Sequence, residues 1–161
     1  MSYYIAVAGS GLILLFAFLA GRGYAGYAER RYGQYEGLIA LLEHMKEQLE
    51  CYLSGGEAML AGFFSEPLCA IGFFEGDGDA AARYERVRAR LTVDDDTKTR
   101  LGQFFAAFGT GYLQAERERI SGALSFLCRQ RDAYEQEKEK NVKLVRSLLL
   151  AAAFGLIILL I

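Results

Sequence analysis

The sequence has one proline, one histidine, three cysteines and no tryptophan among its 161 residues. The cysteines, Cys51, Cys69 and Cys128, lie far apart and form neither a CxxC pair nor, with the histidine, a set with zinc-ligand spacing. We therefore expect neither a zinc site nor a disulfide framework, and reduced thiols in a cytosolic domain fit this pattern better. The alternation of apolar and polar residues that predicts strands is also missing, so we expect an all-α protein.

Charged residues are missing from both ends of the chain. Residues 2–21 and 147–161 contain no Asp, Glu, Lys or Arg, so the 18 basic and 20 acidic side chains all lie between Arg22 and Arg146. The formal net charge of −2 gives no general attraction to nucleic acid, and no basic stretch with interleaved aromatic residues predicts a groove for it. The composition therefore predicts a water-soluble middle between two apolar ends.

Both apolar ends have the composition of membrane spans. Residues 2–21 would extend ~30 Å as a helix, which matches the hydrocarbon core of a bilayer. A cleaved signal peptide is the alternative, but no Lys or Arg precedes the apolar run. Leu148–Ile161 would extend only ~21 Å, so it predicts a short span, with a buried hydrophobic helix tail as the alternative.

Small residues recur at four-residue steps in both ends. They are Ala17, Gly21 and Ala25 in the first end, and Ala151 and Gly155 in the second. Because small side chains let two helix backbones approach closely, this spacing predicts that the two spans pack against each other.

Positive residues beside the spans predict their orientation. Arg22 follows the first span, Lys143 and Arg146 precede the second, and neither span has Lys or Arg on its other side. The positive-inside rule then places the middle of the chain in the cytoplasm, both termini outside, and these three cations at the membrane interface. The predicted domains are a transmembrane helix (1–24), a cytoplasmic helical bundle (25–146) and a short membrane helix (147–161).

The clearest helical periodicity follows the first span. Apolar side chains recur there at 3-4-3-4-3 spacing, which is the a/d pattern of a helix of about twenty residues that buries one face. These seam positions are Tyr35, Leu38, Leu42, Met45, Leu49 and Tyr52. His44 lies off the seam, so we expect it to be solvated rather than a ligand or a catalytic base.

Two polar segments in the middle of the chain have simple structural interpretations. Glu75–Asp79 holds three carboxylates but lacks the full calcium-loop pattern, so we expect a solvated turn. The arginines at 83, 86, 88 and 90 follow it on a predicted helix. We expect them to form a solvated face, with a partner-docking face as the alternative.

Asp94, Asp95 and Asp96 resemble a metal triad at first sight. Adjacent carboxylates just before a helix are more simply a cap and favourable charges at the positive end of the helix dipole. No phosphate loop, nucleophile with a base or pair of catalytic carboxylates is recognisable elsewhere. We therefore predict no catalytic, cofactor-binding or metal site and no enzymatic activity.

The last fifty residues, Tyr112–Ile161, contain no proline and are predicted to form one helix that begins in water and ends in lipid. Its first part places Leu113, Ile120, Leu124 and Leu127 on one face. Its middle is densely charged, and its last residues carry no charge.

Taken together, these residues resemble the stage III sporulation protein AB family of endospore-forming bacteria. An N-terminal span and arginines come first, followed by a helix of the form L-x(2)-L-x(3)-L-x(2)-L. Then come an L-x-x-F-x-x-x-hydrophobic-G element and the exit K-L-V-R-S-L. They correspond here to Tyr35, Leu38, Leu42 and Met45, to Leu101, Phe104, Phe108 and Gly109, and to Lys143–Leu148. The chain departs from the residues usual in the family at Gln48, Phe105 and Tyr112.

The resemblance implies a non-enzymatic platform component of a sporulation channel or secretion-like complex in the mother-cell membrane, needed for forespore development. The family is similar to the cytoplasmic domains of the inner-membrane platform protein of type II secretion and type IV pilus systems. The implied partners are a stage III AA-type ATPase, other stage III A complex proteins and membrane lipid, with no cofactor, nucleic acid or small-molecule substrate. A membrane-anchored helical sensor or adaptor unrelated to secretion is the alternative.

Overall fold

The computed structural model of the chain describes residues 2–52, 60 and 62–160, with side chains described for 9–50, 60 and 62–159. Helix accounts for 84% of the structure, and no strand occurs in these ranges, which confirms the predicted all-α class. The helices are α1 (Ser2–Tyr52), α2 (Glu66–Cys69), α3 (Ala80–Val87), α4 (Asp95–Ala107) and α5 (Leu113–Leu160), with a 3-10 turn at Arg88–Arg90.

Helix α1 runs without a break from the apolar end of the chain through the seam. The seam helix expected from the sequence is thus the last part of one 51-residue helix. Gly23, Gly26 and Gly33 lie within it, and a glycine weakens a helix by only about 1 kcal/mol. Proline would break the ladder of hydrogen bonds, and the single proline, Pro67, lies in α2.

The chain divides into two compact units, and both long helices contribute to each of them. The terminal unit comprises Met1–Glu29 and Tyr134–Ile161, and the helical unit comprises Arg30–Ala133. These divisions lie inside α1 and α5, whereas the domain limits drawn from the sequence follow the changes in hydropathy near residues 24 and 146. Composition changes abruptly at those points, but neither helix ends there.

The core of the helical unit surrounds the seam of α1. Five seam positions are buried: Tyr35, Leu38, Leu42, Met45 and Leu49. The sixth position is Tyr52, whose side chain is not among those that the structure describes. Ile39 and Leu41 are buried as well, so α1 buries a broad face, as a helix in a globular core does, rather than a narrow coiled-coil stripe.

His44 is half-buried, so the prediction of a solvated side chain is wrong. Its ring lies against Phe63, with 5.2 Å between the ring centroids. Its Nε2 atom is buried and has no hydrogen-bond partner among the described residues. The helical period places His44 off the seam, but the segment that contains Phe63 covers this side of the helix.

Aromatic side chains connect α3 and α4 inside the helical unit. Phe105 of α4 stacks on Tyr84 of α3 at 4.9 Å between ring centroids and lies 6.4 Å from Phe73. The Tyr84 hydroxyl donates to the carbonyl oxygen of Lys98 at 2.6 Å, and burial raises the pKa of this phenol above its ordinary value. This contact satisfies a buried polar group while fixing α3 against α4.

The two long helices run antiparallel in the terminal unit. The Tyr134 hydroxyl donates to the carbonyl oxygen of Ala28 at 3.3 Å, and Lys138 Nζ lies 3.0 Å from Glu29 Oε1. Farther along, a Cβ atom at Gly21 would lie 3.8 Å from Leu149 Cδ1. Because a Cβ atom there would already be in van der Waals contact with α5, the two helices pack closely at this small residue, as the small-residue spacing predicts.

The small residues of α5 lie elsewhere than predicted. Ala151 and Gly155 are exposed, whereas Ala153 is buried. The less exposed positions of α5 recur at steps of three or four residues along the terminal unit: Tyr134, Lys138, Val142, Val145, Leu149, Ala153 and Ile157. These contacts fix the rotation of α5 about its axis, and the helical period then places Ala151 and Gly155 on the exposed side.

Helices α1 and α5 are long and apolar enough to cross a membrane. Only 17% of the most apolar stretch of α1 and 6% of that of α5 is buried, which argues against a buried helix tail at the C-terminal end. The exposed large side chains in these stretches are Leu12, Leu15, Phe16, Phe18 and Leu19 in α1, and Leu148, Leu150, Phe154, Leu156, Ile158 and Leu159 in α5.

Truncation of a fully buried seam side chain should destabilise the protein strongly. We expect Leu42→Ala to lower the free energy of unfolding by ~2–5 kcal/mol, because it removes buried methyl groups and leaves a cavity. The control is Glu43→Ala, at the neighbouring exposed position. Thermal unfolding of the full chain in detergent, followed by circular dichroism, measures both, and equal midpoints for Leu42→Ala and the unaltered chain would contradict this core.

Candidate partner-docking groove

Helix α4 begins at the three consecutive aspartates. Asp94 is the N-cap, and its carboxylate accepts hydrogen bonds from Thr97 N at 2.8 Å and Thr97 Oγ1 at 2.7 Å. Asp95 and Asp96 lie in the first turn. This confirms the capping interpretation. Among the described residues, no group of three or more His, Cys, Asp or Glu side chains is placed to hold a metal ion.

A polar network ties this N-cap to α1. The Tyr35 hydroxyl donates to Asp94 Oδ2, and Arg31 lies 4.0 Å from the same oxygen. Directly before Tyr35, Gln34 Oε1 accepts from the backbone N–H of Thr92 at 2.7 Å. The seam residue Tyr35 therefore does more than fill the core, because it joins α1 to the start of α4.

The network also shifts the ionisation of both partners. Burial by itself would raise the pKa of the Asp94 carboxyl, but hydrogen bonds from Tyr35 and Thr97 outweigh burial and hold this pKa below its ordinary value. Burial and the hydrogen bond to Asp94 raise the pKa of Tyr35. Both oxygens of the carboxylate are engaged within the protein, so the arrangement is that of a structural link.

The arginines that follow the acidic loop are not simply solvated. Arg83 Nε donates to the carbonyl oxygen of Gly78 at 2.8 Å, and Arg90 donates to that of Ile71 at 3.1 Å. Arg86 donates to two further carbonyl oxygens of the same loop. Arg88 instead forms an exposed pair with Glu85. Loop carbonyls lack helical N–H partners, and guanidinium groups supply the donors.

A groove with a largely apolar lining lies between α4 and α5 in the helical unit. It has a volume of about 300 Å³, at the lower end of the range for small-molecule pockets, so it suits one or two side chains of a partner. Its lining consists of Arg100, Leu101, Gln103, Phe104, Ala107, Arg119, Gly122, Ala123 and Phe126.

The corner between α4 and α5 fixes one end of this groove. Gly109 has a φ of 85°, which a residue with a side chain rarely adopts. Glu116 is buried, and its Oε1 atom accepts from the N–H of Gly111 at 2.8 Å and from Arg119 at 2.7 Å. Arg119 also donates to the carbonyl oxygen of Ala107 at 2.7 Å. These contacts join the end of α4 to the first turns of α5.

The wall and the opening of the groove come from α5. Phe126 lies under the guanidinium of Arg100, 4.5 Å from the ring centroid, and Arg100 pairs with Asp96 at 3.1 Å. At Gly122 no heavy atom lies within 4 Å of the position that a Cβ atom would take. A glycine inside a helix has no local structural benefit, but here it leaves the groove open.

The residues predicted from the sequence occupy three different places. Leu101 and Phe104 are buried and line the groove, and Phe108 follows at the end of α4 with its ring 5.4 Å from that of Phe104. The seam positions with described side chains lie in the core. The terminal unit exposes the three cations that were predicted to lie at the membrane interface, Arg22, Lys143 and Arg146.

Sequence reasoning missed the contribution of α5 to the groove. It predicted one apolar face, of which Ile120 and Leu127 are buried, whereas Leu113 is exposed and Leu124 is half-buried. Gly122 was the available signal, since a glycine in the middle of a long helix needs a reason.

Comparison of the chain with protein-family models, with curated proteins and with solved structures gives no match.

The Tyr35–Asp94 link predicts a pH-dependent contribution to stability. Because the folded-state pKa of Asp94 is lowered, its carboxylate stabilises the protein above the unfolded carboxyl value, and this contribution is lost as pH falls through the folded pKa. Asp94→Asn keeps an N-cap residue but removes the charge. The difference in unfolding free energy from the unaltered chain should therefore be largest near neutrality and shrink in acid.

Urea unfolding of the full chain at neutral and acidic pH measures this difference. Asp95→Asn is the control, because the Asp95 side chain is 99% exposed, and its effect should not change with pH in the same way. A penalty for Asp94→Asn that is equal at both pH values would contradict the link.

Proposed function

We propose that the chain is a non-enzymatic membrane platform. The apolar stretches of α1 and α5 anchor it in a membrane, and the helical unit docks a cytoplasmic protein in the groove between α4 and α5. The observation that carries this proposal is that one helix, α5, has both a groove-lining part and an apolar part within its 48 residues. This helix supplies groove residues such as Gly122 and Phe126, and it ends in an apolar stretch that is almost wholly exposed.

Membrane anchoring is supported by the apolar side chains that protein does not cover. Leaving a large apolar side chain in water rather than burying it is unfavourable by about 1.5–3 kcal/mol, and both stretches expose several of them. A bilayer removes this penalty without any protein partner. The short length of the second stretch is compatible with local bilayer thinning or with long cationic side chains reaching to the interface.

A binding role, rather than catalysis, is supported by where the polar groups are used. The Asp94 carboxylate receives donors from Tyr35 and Thr97. Arg83, Arg86 and Arg90 bind loop carbonyls. These groups are committed to holding the helical unit together, whereas the groove offers apolar surface bordered by Arg100 and Arg119.

The partner we propose is the stage III AA-type ATPase, acting with other stage III A complex proteins in the mother-cell membrane of a sporulating bacterium. This assignment depends on the resemblance described above. Two of its residues, Leu101 and Phe104, line the groove, and a third, Phe108, packs beside them. We expect an apolar or aromatic side chain of the ATPase to enter the groove, since such anchors dominate interface energetics.

Filling the groove should abolish docking without unfolding the chain. We expect Gly122→Leu to be tolerated, because the site is open and leucine favours helix more than glycine does, and to weaken binding of the purified ATPase at least about tenfold. Ser125→Leu is the matched control, since it adds the same side chain at an exposed position of α5 outside the groove lining. Titration of each variant with the ATPase measures binding, and equal midpoints of thermal unfolding show that both variants are folded. Undiminished binding by Gly122→Leu would refute the groove as the docking site.

The side of the membrane that holds the helical unit separates the platform from the sensor alternative. In a chain with Cys51, Cys69 and Cys128 replaced by serine, Asp77→Cys places one thiol in the exposed acidic loop. A membrane-impermeant maleimide should label it only after lysis, whereas Ser2→Cys should react in intact cells. Labelling of Asp77→Cys in intact cells would contradict the platform and favour a sensor.

A further inference from the structure

The charged residues nearest to the apolar stretches are all positive. No Asp or Glu precedes Glu29 on α1, and none follows Glu139 on α5. Four cations lie between these two acids and the apolar stretches: Arg22, Lys140, Lys143 and Arg146. The chain as a whole has a net charge of −2, so this positive band is a local feature that the average composition hides.

All four cations of the positive band are exposed. Lys143 has a carboxylate neighbour, Glu139 Oε2 at 3.3 Å, in an exposed pair of the kind that contributes little. Arg22 and Arg146 form no ion pair with any carboxylate in the part of the chain that the structure describes. Their charges therefore face the surroundings without internal compensation.

The packing of α1 and α5 brings Arg146 next to the residue that precedes Arg22. Arg146 Cγ lies 3.9 Å from the position that a Cβ atom would take at Gly21, the residue before Arg22. The aliphatic part of Arg146 thus lies beside α1, at the level where both helices become apolar. Beyond Arg22, Gly23 has no heavy atom within 4 Å of its Cβ position, so the surface beside Arg22 is open.

We propose that Arg22 and Arg146, assisted by Lys143, bind the headgroup of an anionic phospholipid. A guanidinium matches a phosphate through two parallel hydrogen bonds, and cations at the edge of an apolar segment are placed at headgroup depth. A zwitterionic lipid offers the same phosphate next to a cationic amine, so the acid-free positive band favours lipids of net negative charge. This inference rests on the membrane anchoring in the proposed function and adds the class of lipid that is bound.

The test uses the full chain in phosphatidylcholine bilayers with trace spin-labelled lipid. The motionally restricted fraction of the spectrum reports lipid bound to protein. We expect labelled phosphatidylglycerol to associate about fivefold more strongly than labelled phosphatidylcholine. The double variant Arg22→Gln/Arg146→Gln should bring this ratio close to one. The control Arg88→Gln/Arg129→Gln removes the same charge from solvent-accessible arginines of the helical unit outside the groove lining and should keep the preference.

Each other outcome overturns the inference in a recognisable way. No preference in the unaltered chain, or a preference that survives the double variant, would show that the arginines do not select the lipid. An equal loss of the lipid preference in the control variant would show that the preference depends on the total charge of the chain and not on Arg22 and Arg146. Displacement of the labelled lipid by inorganic phosphate at constant ionic strength would indicate a site for free phosphate. Absence of any restricted fraction with both labels would refute membrane anchoring itself, and with it the proposed function.

Discussion

Helices α1 and α5 each bury one part of their apolar surface in protein and leave another part uncovered. In the helical unit, Leu38 and Leu42 of α1 and Ile120 and Leu127 of α5 are buried. In the terminal unit, most of the apolar side chains of the same helices are exposed. The other elements follow from this constraint, because α2, α3 and α4 are short and cover only the parts of the long helices that lie in the helical unit. Lipid provides the remaining cover in our account.

Polar contacts give the helical unit its specific arrangement. Tyr35 and Gln34 of α1 bind the segment around the N-cap of α4, and Glu116 with Arg119 holds the corner before α5. A buried polar group without a partner is unfavourable by about 1–3 kcal/mol, so these pairs favour one register of the helices over others. The groove is a consequence of that register, because its walls come from α4 and α5 and its opening depends on Gly122.

Much of the fold follows from local rules that can be applied to the sequence. The period of the seam, the three aspartates before α4 and the absence of proline from Tyr112 onward predict helices that the structure contains. Contacts between distant segments could not be predicted this way. The half-burial of His44 depends on Phe63. The hydrogen bond that Arg90 donates depends on the position of the Ile71 carbonyl. Similarly, Ala151 and Gly155 have the right spacing for helix packing, but the phase of α5 is set by Tyr134 and Leu149, which contact α1.

Hydrogen exchange of the full chain in bilayers, measured with and without the proposed ATPase partner, tests the proposed platform role most directly. A docked partner should slow exchange of the backbone amides it covers or stabilises. Our account predicts that the ATPase adds protection to peptides from α4 and from the first half of α5, between Arg100 and Phe126, and leaves the apolar stretches unchanged. Exchange in that region that is the same with and without the ATPase would contradict the central claim.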